Sequence, residues 1–478
     1  MDSRSADPAA KKFSSAVVEG PIHLAIWTLA WPSILQNLIA GLQGVVDHAM
    51  VGHYVGFTGN AAIGVSWQIF LVIVVFISSL YSGMGVLVAR FTGAGRPDQV
   101  ARVVYQAFWL SLFIGLLGFA PIGYLAAPFL LDLANAAPSV QAEALPYLRI
   151  LFMCSLGNMY FFMIGGALRA AGDAKTPLRL GIALTVLNLS LNVILIRGLG
   201  PIPAFGTTGA ALGTVISGFT VSGYALFRFF SGSWVIDLRP AATWRFDREV
   251  VRRLFKFGLP TGFQGIAMNL GGVLLLRYVG SLAQSAEAQA AYTVAYNQLF
   301  SLITWTSISL MAASSAVTGQ SLGAGKPERA LAVPRTATLV GLGLSIPIGL
   351  LFVAVPRRLL AIFDMKDPVV LALGSEFLSF LAFSGVFMTA ALSYTGALQG
   401  SGDTRSPMYI SIFSQLALPV GLCAFFEAAV GLEPAHIWGA VVAGHLMRGV
   451  LSILRFRQGK WRGIEVDLDD ASPASTSS

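Results

Sequence analysis

Residues 166–177 read GALRAAGDAKTP, and residues 396–407 read GALQGSGDTRSP. The strings share Gly-Ala-Leu, Gly-Asp and a basic residue two places before Pro, about 230 residues apart in a chain of 478. Other pairs keep the same order and nearly the same offset. Gly93 to Asp98 (GAGRPD) matches Gly323 to Glu328 (GAGKPE). Pro32 and Gln36 match Pro260 and Gln264, Val51-Gly52 matches Val279-Gly280, and Gly209-Ala210 matches Gly439-Ala440. One such match is within the reach of chance, whereas an ordered set indicates an internal duplication.

Each half holds six apolar segments. They lie near 22–50, 61–88, 103–126, 145–168, 177–197 and 208–230, then 252–278, 288–318, 334–356, 370–398, 407–428 and 436–456. About 20 apolar residues in a helix cross ~30 Å of hydrocarbon. Ten-residue alternating strands of a barrel are not seen. The expected fold is therefore an all-α integral membrane protein of twelve transmembrane helices in two pseudo-symmetric six-helix bundles. Six spans per half return the chain to the same side, so the repeat is parallel, with a central cleft suited to alternating access. The expected divisions are 1–20 (N-terminal tail), 21–230 (first bundle), 231–250 (basic linker), 251–456 (second bundle) and 457–478 (C-terminal tail). The N-terminal stretch lacks the apolar core and cleavage site of a signal peptide and reads as a cytoplasmic tail.

Composition agrees. Charged residues are 11% of the chain, against about 25% in soluble domains. The hydrophobic share is 55% and the mean hydropathy is +0.72. A soluble globular enzyme, a disordered chain and a disulfide scaffold are excluded. Cys154 and Cys423 both sit in apolar runs and build no metal cluster. With both termini inside, 25 of the 31 basic residues face the cytoplasm and six face out. That inside set includes Arg169 and the five basic residues from Arg448 onward. The asymmetry predicts an N-in, C-in orientation, and the net charge of +8 reflects basic loops rather than nucleic-acid binding.

The glycine-rich loops need no phosphate. No GxxxxGK[ST] string exists in the chain, and a Gly ending one helix before a Pro starting the next explains them. Transport would then be driven by an ion gradient. A membrane-embedded transferase would need clustered acids for a divalent metal, and no span has two acids at helical spacing. The chain is read as not an enzyme.

An ionisable residue within a span costs about 2.5–3.5 kcal/mol at mid-depth and is a functional candidate by default. Asp47 is the one that stands out. Gln36, Ala40, Gln43 and Asp47 follow at i, i+4, i+7 and i+11, on one helical face. Pro32, four residues before Gln36, would loosen this helix. In the second half the equivalent stripe is Gln264, Met268, Gly271 and Leu275, with no carboxylate. Thr185, Asn188 and Asn192 share a face of the fifth span, Thr208 and Thr214 lie in the sixth, and Asn158 and Tyr160 in the fourth. Read simply, the Asn and Thr are interhelical glue. Beside Asp47 they would hold a proton or ligate Na⁺. Gln289, Tyr292 and Tyr296 share a face of the eighth span, as cleft lining or as packing. His48, His53, His436 and His445 read as interfacial or packing residues.

These residues resemble the multidrug and toxic compound extrusion (MATE) family, over about residues 20–456. The carriers are Pro32 to Gly52 with VDHAMVG, the two GAG[RK]P[DE] loops, the two GAL…GDx[KR][TS]P stretches, and NVIL followed by TTGAALGT. The nearest branch is the bacterial DinF type. The resemblance implies an inner-membrane antiporter that expels organic, often cationic, compounds in exchange for H⁺ or Na⁺, with no other cofactor. It places the family's first-helix acid at Asp47 and its Asn and Thr at Asn192 and Thr214. Asn188 and Asn158 join the candidate coupling set; Gln36, Gln43, Gln264, Tyr292 and Tyr296 are candidate cleft-lining residues. A second acid of many relatives falls on Ile196, and two acids of the Na⁺-coupled branch fall near Met268 and Met388. Proton coupling is expected, with Na⁺ at Asp47 the other option. The expected partners are small organic substrates and the bilayer, with no nucleic acid, and the chain is expected to act as a monomer. A lipid-linked oligosaccharide flippase of the same superfamily is the alternative. It would need a strongly basic cavity.

Overall fold

The computed structural model describes residues 15–239, 246–466 and 468. Residues 1–14, 240–245, 467 and 469–478 lie outside the described set, and with them most of the expected tails and part of the linker.

Among the described residues, eleven helices are long and apolar enough to cross a membrane, and a bent pair taken as one span gives a twelfth. In chain order they are α1 (Ile22–Tyr54), α2 (Phe57–Gly93), α3 (Pro97–Leu133), α4 (Pro138–Met153 with Ser155–Ala170), α5 (Lys175–Arg197) and α6 (Gly206–Phe230). The second half gives α7 (Arg248–Gly280), α8 (Ser285–Gly323), α9 (Pro327–Ala354), α10 (Pro368–Ser401), α11 (Arg405–Ala429) and α12 (Pro434–Arg457). The two parts of α4 meet at Cys154 with a bend of 52°. Most helices outrun their apolar segments by a turn or more, through polar residues at their ends.

Repeat-related sequence makes repeat-related helix ends. Gly95 and Gly325 both take φ +67, and Gly172 and Gly402 take φ +95 and +97. In this left-handed region only Gly is free of strain. At each of the four, the next residue's N–H reaches back to close the last turn. The bonds are Arg96 N to Phe91 O (3.0 Å), Lys326 N to Ser321 O (2.8 Å), Asp173 N to Leu168 O (2.8 Å) and Asp403 N to Leu398 O (2.9 Å). This is the Schellman ending. Pro97 and Pro327 then occupy the first turn of α3 and α9, where the missing N–H costs nothing.

The Asp of each Gly-Asp pair caps the following helix. Asp173 Oδ1 accepts from Thr176 N (3.0 Å), and Asp403 Oδ1 accepts from Ser406 N (3.1 Å). Asp403 is 5% exposed, and its Oδ2 also accepts from Arg455 Nε at 2.9 Å. Asp403→Ala should therefore cost more than the ~1 kcal/mol of a lost cap, on the order of 2–3 kcal/mol, because it also strands Arg455. Asp173→Ala should cost about 1 kcal/mol. Melting temperatures of the two purified variants check this; equal losses would contradict it.

The chain forms two compact units. Among the described residues, one is Trp31–Gly258 and the other is Ser15–Ala30 with the residues from Leu259 onward. The expected bundles, 21–230 and 251–456, differ from these at two related places. The first turns of α1 belong with the second unit, and the first turns of α7 with the first. Each switch falls two residues before a proline inside the helix, Pro32 or Pro260. A proline there removes one backbone hydrogen bond and loosens the helix. Packing explains the membership. A Cβ on Gly258 of α7 would lie 2.7 Å from the Ser79 carbonyl of α2, so the two backbones touch. The short helix Ser15–Glu19 is held where Arg329 Nη2 donates to Val17 O at 2.7 Å.

The described parts of the linker and of the C-terminal tail pack against their units. Ile236 and Leu238 are buried, and Leu238 N donates to Phe229 O. Trp461 is 1% exposed, stacks on Phe456 at 4.8 Å and donates to the Phe456 carbonyl. Each unit has its own apolar core. One is centred on Phe70, Phe152 and Leu148; the other on Phe300, Phe377 and Trp438.

Candidate functional site

In the first unit α1 and α5 run parallel and in register. Gln36 lies against Gly181, Gln43 bonds Asn188, and Asp47 bonds Asn192, a constant separation of 145 residues. The same four-and-seven spacing on both helices brings the two polar stripes face to face. Small Gly181 leaves room for the Gln36 side chain, whose Cγ lies 3.1 Å from where a Cβ would stand.

The stripes join into a hydrogen-bonded ladder. Asn192 Nδ2 donates to Asp47 Oδ1 at 2.7 Å and contacts Asn188 Oδ1 at 3.2 Å. Gln43 Nε2 donates to Asn188 Oδ1 at 3.0 Å, and Thr185 Oγ1 donates to Gln43 Oε1 at 2.7 Å. Asn188 Nδ2 reaches Thr214 Oγ1 of α6 at 3.3 Å, and Thr214 in turn donates to Ala210 O. Asn188 and Asn192 are fully buried. Gly213 of α6 makes the close approach possible, since a Cβ there would overlap Asn192 Oδ1. That oxygen is buried and accepts no hydrogen bond.

Asp47, Asn192, Asn188, Thr214, Gln43 and Thr185 are thus brought together. Asn158 is not part of the ladder. It lies on α4 with Oδ1 against Gly218, one turn along α6 from Thr214. Gln36 takes a different partner, accepting from Arg169 Nη1 at 3.4 Å. Arg169, grouped by sequence with the cytoplasmic loops, is the last-turn cation of α4 and points back into the unit. His48 bonds Asn60 Oδ1 of α2 at 2.5 Å, a tie between neighbours that its place beside Asp47 did not suggest. Ile196, where the family resemblance would place a second acid, is 2% exposed in the apolar cluster around Phe152.

Asn188 is the hub, since it accepts from two ladder residues and donates to a third. Asn188→Leu removes all three bonds and leaves Gln43 and Asn192 short of a partner, about 1–3 kcal/mol per orphaned group. Dye export should fall several-fold at equal expression, whereas Thr185→Val at the ladder's edge should cost little. Unaltered export in Asn188→Leu cells would show the ladder to be packing only.

The second unit puts different chemistry at the equivalent places. Gln264, 5% exposed, donates to Ser411 Oγ at 3.0 Å and accepts from Gln399 Nε2 at 3.1 Å. Gly271 packs its backbone against the Gln415 carbonyl, and Leu275 is buried in the apolar cluster. Met388 is buried in the same cluster. Tyr292 is 4% exposed and stacks on Tyr296, Phe377 and Trp438 at 5.4, 5.5 and 6.2 Å. Gln264 and Tyr292 therefore stand inside the unit rather than on an open face. Tyr296 stacks on Phe300 and faces His445, with its OH 3.5 Å from Nε2.

The MatE family model matches residues 32–194 and 260–424, one stretch in each half, starting at Pro32 and at Pro260. A probable multidrug resistance protein NorM from Thermotoga maritima is 26% identical over 91% of this chain and 92% of its own. The multidrug resistance protein MdtK from Pectobacterium atrosepticum is 27% identical over 90% and 94%. Among solved structures, a MOP superfamily transporter from Pyrococcus furiosus superposes with a TM-score of 0.84 at 21% identity. It covers 96% of this chain and 100% of that one.

Proposed function

Because the chain belongs to the MatE family of multidrug and toxic compound extrusion transporters, we propose that it is a proton-coupled antiporter that exports organic, often cationic, small molecules. It works by alternating access as a monomer in a bacterial inner membrane, with both termini in the cytoplasm. The relatives named for multidrug resistance support drug export over a lipid-linked sugar flippase.

The observation that carries the coupling is the Asp47–Asn192 hydrogen bond at the end of a buried ladder. Asp47 is the only carboxylate in that ladder. Ionised, it accepts from Asn192 Nδ2; protonated, it loses its charge and the cost of holding charge within a span. Either change alters what α1 gains by lying against α5. A helix loosened at Pro32 is able to respond by repacking. Sodium would ask for further oxygens, and the place of the second family acid is filled by apolar Ile196. Asn192 Oδ1, which accepts no hydrogen bond, is an oxygen on the residue that holds Asp47.

Reconstitution in proteoliposomes tests the reading. An imposed ΔpH without Na⁺ should drive dye movement, and an imposed Na⁺ gradient at equal pH should not. Drive by Na⁺ alone would replace the proton, and no drive by either would overturn antiport.

A further inference from the structure

One face of α12 carries buried polar groups that the ladder of the first unit does not use. Trp438, His445, Arg448 and Ser452 follow at i, i+7, i+10 and i+14, and all are buried. Arg448 is 1% exposed and lies nine residues before Arg457, the end of the helix, roughly 14 Å along its axis. Its basic character suits the cytoplasmic fringe, whereas the structure puts it inside the second unit.

Arg448 lacks an acceptor. Its Nε and Nη1 are buried without a hydrogen-bond partner, and so are Ser452 Oγ and Trp438 Nε1. No carboxylate among the described residues pairs with it, and Asp403, in the turn between α10 and α11, is taken by Arg455. A guanidinium stays charged in proteins, and a buried charge without a counter-charge is costly. Intramembrane cations that persist mark a ligand path or a partner.

Its surroundings are built around that charge. His445, one turn earlier, is held by Ser384 Oγ at Nδ1 and faces the Tyr296 OH at Nε2. Tyr296 sits in a π-helical turn, Thr293–Leu299. A second π turn, Phe413–Ala417, packs where Gly444 lets the Ser414 carbonyl approach α12. Such turns recur at functional sites.

We propose that Arg448 is the centre of an anion-binding subsite in the second unit, which takes the carboxylate of a transported organic acid or zwitterion, with Tyr296 and Ser452 beside it. A guanidinium fork matches a carboxylate in shape and in donors. The proposal rests on the export reading and narrows its substrates to include molecules with an acidic group.

Binding to the purified full-length protein, read with no gradient present, tests it separately from transport. Sodium benzoate, the isosteric neutral benzamide and sodium chloride are titrated, following intrinsic Trp fluorescence and the melting temperature. Benzoate should bind saturably and raise the melting temperature, benzamide should not, and Arg448→Gln should weaken benzoate by about tenfold or more. Arg448→Lys should retain part of the affinity. Equal binding of benzoate and benzamide overturns the proposal on the wild type alone, even where the Gln variant does not fold. Benzoate binding unchanged in Arg448→Gln also overturns it. Protection by chloride that benzoate does not exceed would assign the site to an inorganic anion and overturn the carboxylate. Failure of gradient-driven export alongside intact, Arg448-dependent benzoate binding would refute the transporter reading and keep the subsite.

Discussion

Asp47→Asn is expected to abolish gradient-driven export while the protein still inserts and folds. The variant keeps the shape of the ladder. Its amide oxygen still accepts from Asn192 Nδ2, the bond now made at 2.7 Å, and no cavity or orphaned donor is created on α5. The carboxylate's charge, and its ability to exchange a proton, are lost. If the two faces of α1 and α5 are held differently by an ionised and a protonated Asp47, the variant is locked in the neutral condition. Export should drop to the level of cells without the protein, and substrate addition should release no protons from loaded proteoliposomes. Asp47→Glu keeps the proton but lengthens the arm by one methylene against buried Asn192, so partial activity is expected. Full resistance from Asp47→Asn at matched expression would remove Asp47 from the mechanism.

The ladder was half legible. Helical periodicity put Gln36, Gln43 and Asp47 on one face of α1, and Thr185, Asn188 and Asn192 on one face of α5. Each stripe repeats at the helical period, which a single chain displays without any partner. The register between them is a tertiary fact, fixed by the small residues Gly181 and Gly213 that let the helices close. Charge position was less legible. Composition treats Arg169 and Arg448 as part of a basic cytoplasmic fringe, because both lie within a few turns of loops. Arg448 shares a face of α12 with Gly444 and Ser452, and its three-residue spacing from His445 was the available signal. The exchange of neighbours at the starts of α1 and α7 was hidden for a similar reason. A long polar linker marks where the sequence changes character, whereas α1 and α7 change neighbours at Pro32 and Pro260, inside continuous apolar helices.

The repeat also predicts where equivalent residues are not equivalent. Gly166 and Gly396 open the two strings that revealed the duplication, yet Gly396→Ala should destabilise strongly and Gly166→Ala should not. A Cβ on Gly396 of α10 would overlap the Met311 carbonyl of α8, and one on Gly400 would overlap the Ser315 carbonyl. Backbone cannot rotate aside, so the helices must part and lose contact along their length. Each such substitution should cost about 1–3 kcal/mol. Between α4 and α2 the same positions are looser. A Cβ on Gly166 would meet Met84 Cε at 3.6 Å, ordinary contact with the end of a flexible side chain. One turn on, the small residue has changed sides. Gly85 faces Ala170 in the first half, where Ser315 faces Gly400 in the second. The second pair is therefore closed by glycines on one helix, and close backbone approach is what holds helices together where lipid removes the hydrophobic drive. Gly166→Ala should be neutral, or gain up to about 1 kcal/mol from helix propensity. Melting curves of the purified single variants give the comparison, with Gly396→Ala and Gly400→Ala well below the wild type and Gly166→Ala at or above it. Equal behaviour of Gly166→Ala and Gly396→Ala would mean that the two halves pack alike and that the α8–α10 contact is not the tighter one.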